Sequence, residues 1–332
     1  MGVTIYDIAA EAEVSIATVS RVFNASPRVS DVTRARVERV ALHLGYRPHA
    51  LAQGLARKTS GLVSAVIPVL TNYFYMEVLR GIQDVLASSD LDLIVYTAQT
   101  PEDVDGQLTR ALQRGRAEGL LLLSTPVTEA RAAQMASARH GIVLVDSSHA
   151  AFDSLTVDNV SGGYTATRHL VERGFERIAH ITVFPEPPPA RDRRTGYERA
   201  MQEAGLTPWI AASDRRPYGF CEESGYEAMR RLIESPVRPQ AVFVASDVQA
   251  LGALCALQDA GLSVPDDMAV VGFDDIKVAA YARLTTLRQP MNAMGRLAAE
   301  RLLGRLADPT GAPQHTLFTP ELVCRASSVA SA

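Results

Sequence analysis

The sequence predicts an α/β protein. A three-helix helix-turn-helix head and a hinge helix come first, followed by a two-lobed domain built on doubly wound parallel sheets. Three observations carry this reading. The first 45 residues hold three apolar repeats at helical spacing, with capping residues between them. From Gly61 onward, short apolar runs alternate with stretches of helical period, as in βαβ units. The alternation breaks near Asp158 and then resumes, which implies two lobes. At 332 residues the chain has room for two or three domains.

Ile5, Ile8, Ala9 and Ala12 fall at i, i+3, i+4 and i+7, one face of a first helix. Thr4 and Asp7 have the spacing of a capping box, with Asp in place of Glu. Ser15 can cap a second helix with Val19 and Val22 inside and a polar outer face. Two such helices joined by a tight turn form a helix-turn-helix, whose second helix enters the DNA major groove. The plainer alternative is a helical hairpin capping a larger domain. Ser30 caps a third helix with Val37, Val40, Ala41 and Leu44 on its apolar face, and Gly45 stops it.

The next stretch, Tyr46 to Gly61, holds Pro48 at a first-turn position and a small apolar stripe of Ala52, Leu55 and Ala56. Gly54 weakens it, and a helix of about two turns is unstable alone. It reads as a segment that orders against DNA and a twin copy, or as a plain linker.

Charge follows the same division. Residues 1–60 hold eight Lys/Arg against five Asp/Glu, a balance of +3, and the rest of the chain carries −7, for the total of −4. A basic head on an acidic body fits a head that meets a polyanion. The charge is modest, so paired heads would bind DNA better than one.

In the body, strands are expected at Leu62–Val69, Leu91–Tyr96, Gly119–Ser124, Ile142–Asp146, Ile178–Val183, Ala241–Ala245 and Met268–Phe273. The intervening stretches, such as Tyr75–Ser88, Gly162–Arg173, Arg193–Ala204 and Val248–Ala260, have helical period. Ligands of such folds bind at the carboxyl ends of strands, and the cleft between two lobes is the natural site.

Several function classes find no support. There is no Gly-x-Ser-x-Gly, P-loop, dinucleotide-binding Gly-x-Gly-x-x-Gly or His-Glu-x-x-His, so no enzyme, cofactor or metal is expected. Cys221, Cys255 and Cys324 sit in no metal spacing. No apolar run reaches the roughly 18–20 residues of a membrane span. Asp7, Glu11 and Glu13 interrupt any signal segment, which points to a cytoplasmic protein.

The stretches Val3–Ala12, Val14–Asn24, Val29-Ser30, Thr33-Arg34 and Leu44–Pro48 resemble the headpiece of the lactose/galactose-repressor (LacI/GalR) family of bacterial transcription regulators. Ala50–Ala56 resembles that family's hinge helix. The body resembles its periplasmic-binding-protein-like effector domain at Val157–Tyr164, His169–Gly174, Arg193–Tyr197, Pro239–Asp247, Gly252–Leu254, Val270–Asp275 and Leu284–Pro290. The resemblance implies that Ser15, Ile16, Ala17, Thr18, Ser20 and Arg21 face DNA. It adds Thr4, Tyr6, Asn24, His49 and Ala52, with Leu55 as a wedge in the minor groove. Arg21 suits a guanine edge, while Ile16 and Ala17 can at most touch thymine methyls. Glu13 replaces the glycine usual in the turn, where positive φ is expected, and His49 replaces the usual Asn or Ser.

The same resemblance implies effector contacts from Asn72, Tyr73, Phe74, Asp146, Arg193, Phe220, Asp274, and Asp247 or its neighbour Ser246. Tyr73, Phe74 or Phe220 would stack on a sugar face, with bidentate bonds from Arg193 and Asp274. Each aromatic could instead be core, and Asp247 could instead cap a helix. The proline-rich stretch Pro185–Pro189 is expected to stiffen one rim of the cleft.

The implied organisation is a head over 1–46, a hinge over 47–59 and an effector domain over 60–332. Its N-lobe would be 60–158 with 290–318, and its C-lobe 159–289 with 319–328. The implied function is a homodimeric repressor of a pseudo-palindromic double-stranded DNA operator, controlled by a small molecule, with a sugar first. The alternatives are a purine- or nucleoside-responsive or corepressor-dependent regulator and, more remotely, a solute-binding receptor.

Overall fold

The computed structural model of the chain describes residues 3–23, 26–46, 60–98, 100–138, 141–213 and 220–329. The hinge expected over 47–59, and with it His49, Ala52 and Leu55, lies outside the described residues, as does Asn24. The head and the two-lobed body are separate compact units.

The head is three helices, α1 (Ile5–Glu11), α2 (Ile16–Phe23) and α3 (Asp31–His43). The Asp7 carboxylate accepts from the Thr4 backbone N–H and hydroxyl, each at 2.8 Å. Those bonds, led by the one from the backbone, hold the Asp7 pKa below the usual carboxylate value. Ser15 accepts from the Thr18 N–H at 3.1 Å and Ser30 from the Thr33 N–H at 3.3 Å, so both expected caps form. Ile8, Ala12, Val19 and Val37 are fully buried together, and the Phe23 and Tyr46 rings lie 5.5 Å apart. Glu13 takes φ 51°, the left-handed conformation its turn demands, where glycine would be easier. Arg34 donates to the carbonyls of Val22 at 3.3 Å and Ser26 at 2.8 Å, so this basic residue terminates α2.

The first lobe carries β1 (Leu62–Ile67), β2 (Asp92–Thr97), β3 (Gly119–Leu123), β4 (Gly141–Val145), β5 (Asp153–Val157) and the late β11 (His315–Phe318), in the order β11-β5-β4-β3-β1-β2. Its helices are α4 (Tyr73–Leu86), α5 (Pro101–Ala111), α6 (Glu129–Ser137) and the late α12 (Met291–Ala307). The second lobe has β6 (Ile178–Val183), β7 (Trp209–Ser213), β8 (Ala241–Val244), β9 (Ala269–Asp274), β10 (Thr285–Arg288) and β12 (Glu321–Val323), in the order β12-β10-β9-β8-β6-β7. With it go α7 (Asn159–Glu172), α8 (Pro188–Glu203), α9 (Glu222–Ile233), α10 (Asp247–Asp259) and α11 (Lys277–Tyr281). The chain crosses between the sheets after β5, after β10 and after β11.

The central strands β3, β6, β8 and β9 are buried at every position. Helices cover both faces of these sheets, so β3, β8 and most of β9 read as continuous apolar runs instead of alternating, while β6 buries His180 and Thr182 among its apolar residues. Of the strands missing from the sequence expectation, β5, β10, β11 and β12 have no such run, and β7 has a short one over 209–212. In β10, Thr285 and Thr286 are buried with their hydroxyls bonded to the Arg325 carbonyl and to Asp247. Helix α8 begins at Pro188, five residues before the expected Arg193. Its prolines fill a first turn whose N–H groups have no partner in the helix.

Small residues let helices approach closely at the lobe surfaces. A Cβ on Gly163 of α7 would lie 2.1 Å from the Arg193 carbonyl oxygen, and one on Gly196 of α8 would lie 2.0 Å from the Val160 carbonyl oxygen. This reciprocal contact sets α8, and Arg193 with it, against α7. Gly196→Ala must therefore push two backbones apart and is expected to cost about 2 kcal/mol or more. Gly106→Ala in α5, where the new methyl meets nothing within 4 Å, is expected to be neutral or to stabilise by about 0.5–1 kcal/mol. Urea unfolding of both variants checks the contrast, and equal effects would contradict the close crossing.

Candidate functional site

The outer face of α2 is the head's candidate interface. Ser15, Ile16, Ala17 and Arg21 are exposed, Thr18 and Ser20 are half-buried, and Val19 and Val22 point inward. Ile16 is 41% exposed, a large apolar side chain on a face that packs on nothing else in the head. Thr4 stands just before α1, and Tyr6, 65% exposed, stands on it. Ser15 and Thr18 also bond to each other at 2.9 Å, so part of their hydrogen-bonding capacity holds the helix start.

In the body, a cavity of about 480 Å³ lies between the lobes. Its first-lobe wall includes Asn72, Phe74, Ser124 and Asp146, and its second-lobe wall includes Arg193, Phe220, Ser246 and Asp274, with Gln289 from the second crossing. Most of these residues stand at or just beyond the carboxyl ends of strands, as the topology requires.

Arg193 is the centre of the floor. Only 5% exposed, it donates from Nε to the Asn159 Oδ1 at 2.8 Å and from a terminal nitrogen to the Ala245 carbonyl at 2.5 Å. Its guanidinium lies 3.7 Å over the Phe273 ring and 5.8 Å from the Phe220 ring centroid. Asp274 Oδ1 approaches it at 3.6 Å and accepts from the Gln289 amide at 2.6 Å. From the opposite lobe, Asp146 accepts from the Ser124 hydroxyl at 2.7 Å. Ser124, Asp146 and Asp274 all have positive φ, so the strand ends that aim them are strained.

Two implied contacts fall elsewhere. Asn72 caps α4 by accepting from the Phe74 N–H at 2.8 Å, so the helix starts at Tyr73 and not beyond it. Tyr73 and Tyr75 both pack on the hydrophobic core, and of the two it is Tyr75 that lines the cleft. Asp247 is fully buried behind the floor. It accepts from the Thr286 hydroxyl at 2.6 Å and the Ile276 N–H at 3.0 Å, tying α10 to β10 and to the loop after β9. The cap of α10 is Ser246, which accepts from the Gln249 N–H at 3.3 Å and also lines the cleft.

Comparison with known proteins places this pairing of head and cleft. Residues 4–49 match the family model of bacterial regulatory proteins, lacI family, and residues 167–328 match a periplasmic binding protein-like domain. The chain is 35% identical over 310 residues to catabolite control protein A of Priestia megaterium, covering 91% of this chain and 92% of the relative. It is 36% identical over 331 residues to the ribose operon repressor of Escherichia coli K12, covering 98% and 99%. The chain belongs to the lacI family of bacterial regulatory proteins. A solved lac repressor dimer bound to operator and the anti-inducer ONPF superposes on this LacI-family chain with a TM-score of 0.87 at 28% identity, covering 99% of this chain and all of that one. The chain is thus a transcription regulator with a DNA-binding head and an effector-type body. No helix among its described residues is long and apolar enough to cross a membrane.

The floor of this LacI-family cleft is crowded with carboxylates. Burial raises the Asp274 pKa to about 6, and Arg193 and the Gln289 bond only partly offset it. Burial likewise raises Asp146 to about 6, against the Ser124 bond and Arg193. For Arg193 burial lowers the pKa, and Asp274, Asp146, Asp247 and Asp192 act in the opposite sense. Sequence reasoning did not name Gln289, Ser124 or Asn159 as site residues. Gln289 has one signal, its place at a crossing between lobes; Asn159 and Ser124 have none, because each acts by holding another residue of the floor.

A carboxylate whose folded pKa lies above its unfolded value is protonated more readily in the native state. Its ionisation therefore costs stability as pH rises from about 4 through about 6. Asp146→Asn removes that cost. The melting temperature of the variant minus that of the native chain is expected to be more positive at pH 7 than at pH 5. A difference independent of pH would contradict an elevated Asp146.

Proposed function

We propose that the chain is an operator-binding repressor whose DNA affinity falls when a sugar enters the cleft. The observation that carries this is the lobe-bridging floor. A planar guanidinium and two carboxylates, Asp146 and Asp274, face one cavity from opposite lobes, where adjacent hydroxyls of one sugar can bond to both. Phe74 and Phe220 supply apolar faces for its C–H groups. The similarity to a repressor of a ribose operon supports a sugar, and the similarity to the lac repressor dimer on its operator supports paired heads on two half-sites.

In this reading, Asn72, Phe74, Asp146, Arg193, Phe220, Ser246 and Asp274 contact the effector. Ser15, Ile16, Ala17, Thr18, Ser20 and Arg21 meet the major groove, with Leu55 as a wedge in the minor groove. The protein works in the cytoplasm and has no catalytic role. A ligand that bonds both walls favours the closed arrangement of the lobes. The first lobe follows directly on residues 47–59, so closure alters the pairing of two hinges and weakens their joint hold on DNA. That coupling between two sites is reciprocal.

DNA fragments selected by the full chain provide the operator for testing. Residues 60–332 alone should lose operator affinity, and undiminished affinity would end the repressor reading. Arg193→Ala and Asp274→Ala should bind operator normally and no longer respond to sugar; a normal response in either removes that residue from the site. Leu55→Ala should weaken specific binding by a larger factor than non-specific binding, and equal losses would count against the wedge.

A further inference from the structure

We propose that the effector is a glycoside with an apolar, planar aglycone, its sugar hydroxyls on the polar floor and its aglycone against a proline wall at the mouth. This rests on the sugar reading above and extends it. The cleft changes character from base to mouth. Arg193, Asp274, Ser246 and Gln289 are buried, and the Gln289 side-chain carbonyl has no partner among the described residues. The outer lining is Pro126 from one lobe and Pro185, Pro187, Pro188 and Pro189 from the other, all exposed or half-buried.

The placement of these prolines decides the chemistry. The start of α8 lines the cleft, and a helix start ordinarily offers free N–H groups to phosphate or hydroxyl oxygens. Residues 187, 188 and 189 have no N–H, so this helix start offers a rigid apolar face where donors would otherwise stand. Three charged groups stand at the mouth, and each has a partner. Arg191, exposed, donates to the Glu186 carbonyl at 3.5 Å. Arg131 donates to Asp105 at 2.7 Å and to the Pro126 carbonyl at 2.8 Å. Glu186 pairs with Arg194 at 3.1 Å and accepts from the Thr182 hydroxyl at 3.3 Å. A second sugar ring there would lose water and gain few bonds, whereas an aromatic ring loses nothing polar. Phe184, 64% exposed beside the proline run, extends the apolar character past the rim. Size agrees: a cavity of about 480 Å³ falls within the roughly 300–1,000 Å³ of pockets for drug-sized ligands, which leaves space beyond a single pentose or hexose.

The test is calorimetric titration of the full chain with matched methyl and phenyl glycosides of the common pentoses and hexoses, and with disaccharides of the same sugars. For the sugar that binds, the phenyl glycoside is expected to bind at least about tenfold tighter than the methyl glycoside. That ratio is expected to fall toward one in a Pro126→Ser, Pro187→Ser double variant. Equal affinity of the methyl and phenyl forms in the native chain, or tighter binding of a disaccharide, overturns the aglycone proposal and leaves the sugar reading standing. Failure of every sugar in the panel overturns both.

Discussion

The cleft floor is organised around one buried cation. Arg193 sits at the base of the cleft with little access to water, and a lone guanidinium there would be untenable. Its position is fixed from several directions: Asn159 from the start of α7, the Ala245 carbonyl at the end of β8, the Phe273 ring from β9, and Asp274 beside it. Elements from across the second lobe thus meet at one side chain. The Gly163–Gly196 crossing sets the helix that bears it, and Gln289 holds Asp274 from the crossing between lobes.

This arrangement leaves an electrostatic imbalance. Several carboxylates surround a single arginine, and Asp146 and Asp274 are held near pKa 6 by burial. A ligand that donates hydroxyl hydrogen bonds to these groups favours their ionised forms and relieves part of that cost. Because Asp146 belongs to the first lobe and Asp274 to the second, the relief is greatest when both lobes hold one molecule. The polar floor thereby links ligand chemistry to lobe closure.

The sequence was legible where physics is local. Apolar periodicity with Ser15, Ser30 and Gly45 marked the head helices, and continuous apolar runs marked the central strands. Glu13 was identified as a residue that must take positive φ, and it does. The edge strands β7 and β12, exposed or half-buried, were not legible, and neither was β10, whose threonines are buried by partners distant in sequence. In the cleft, the family resemblance pointed to Asp146, Arg193 and Asp274, while a helix start two residues earlier than expected left Tyr73 off the cavity wall. Asp247 looked like a contact or a cap; only the packing of Thr286 and Ile276 around it reveals a buried strut. The proline run read as a stiff rim, whereas the structure makes it a helix start on the cleft wall.

The central claim is that the cleft and the DNA-binding head share one coupling free energy. Its most direct test is the affinity of the full chain for the sugar that binds it, measured with and without saturating operator DNA, beside the affinity for operator measured with and without that sugar at saturation. The account predicts that each ligand weakens the other by the same factor. Sugar affinity unchanged by operator would contradict it.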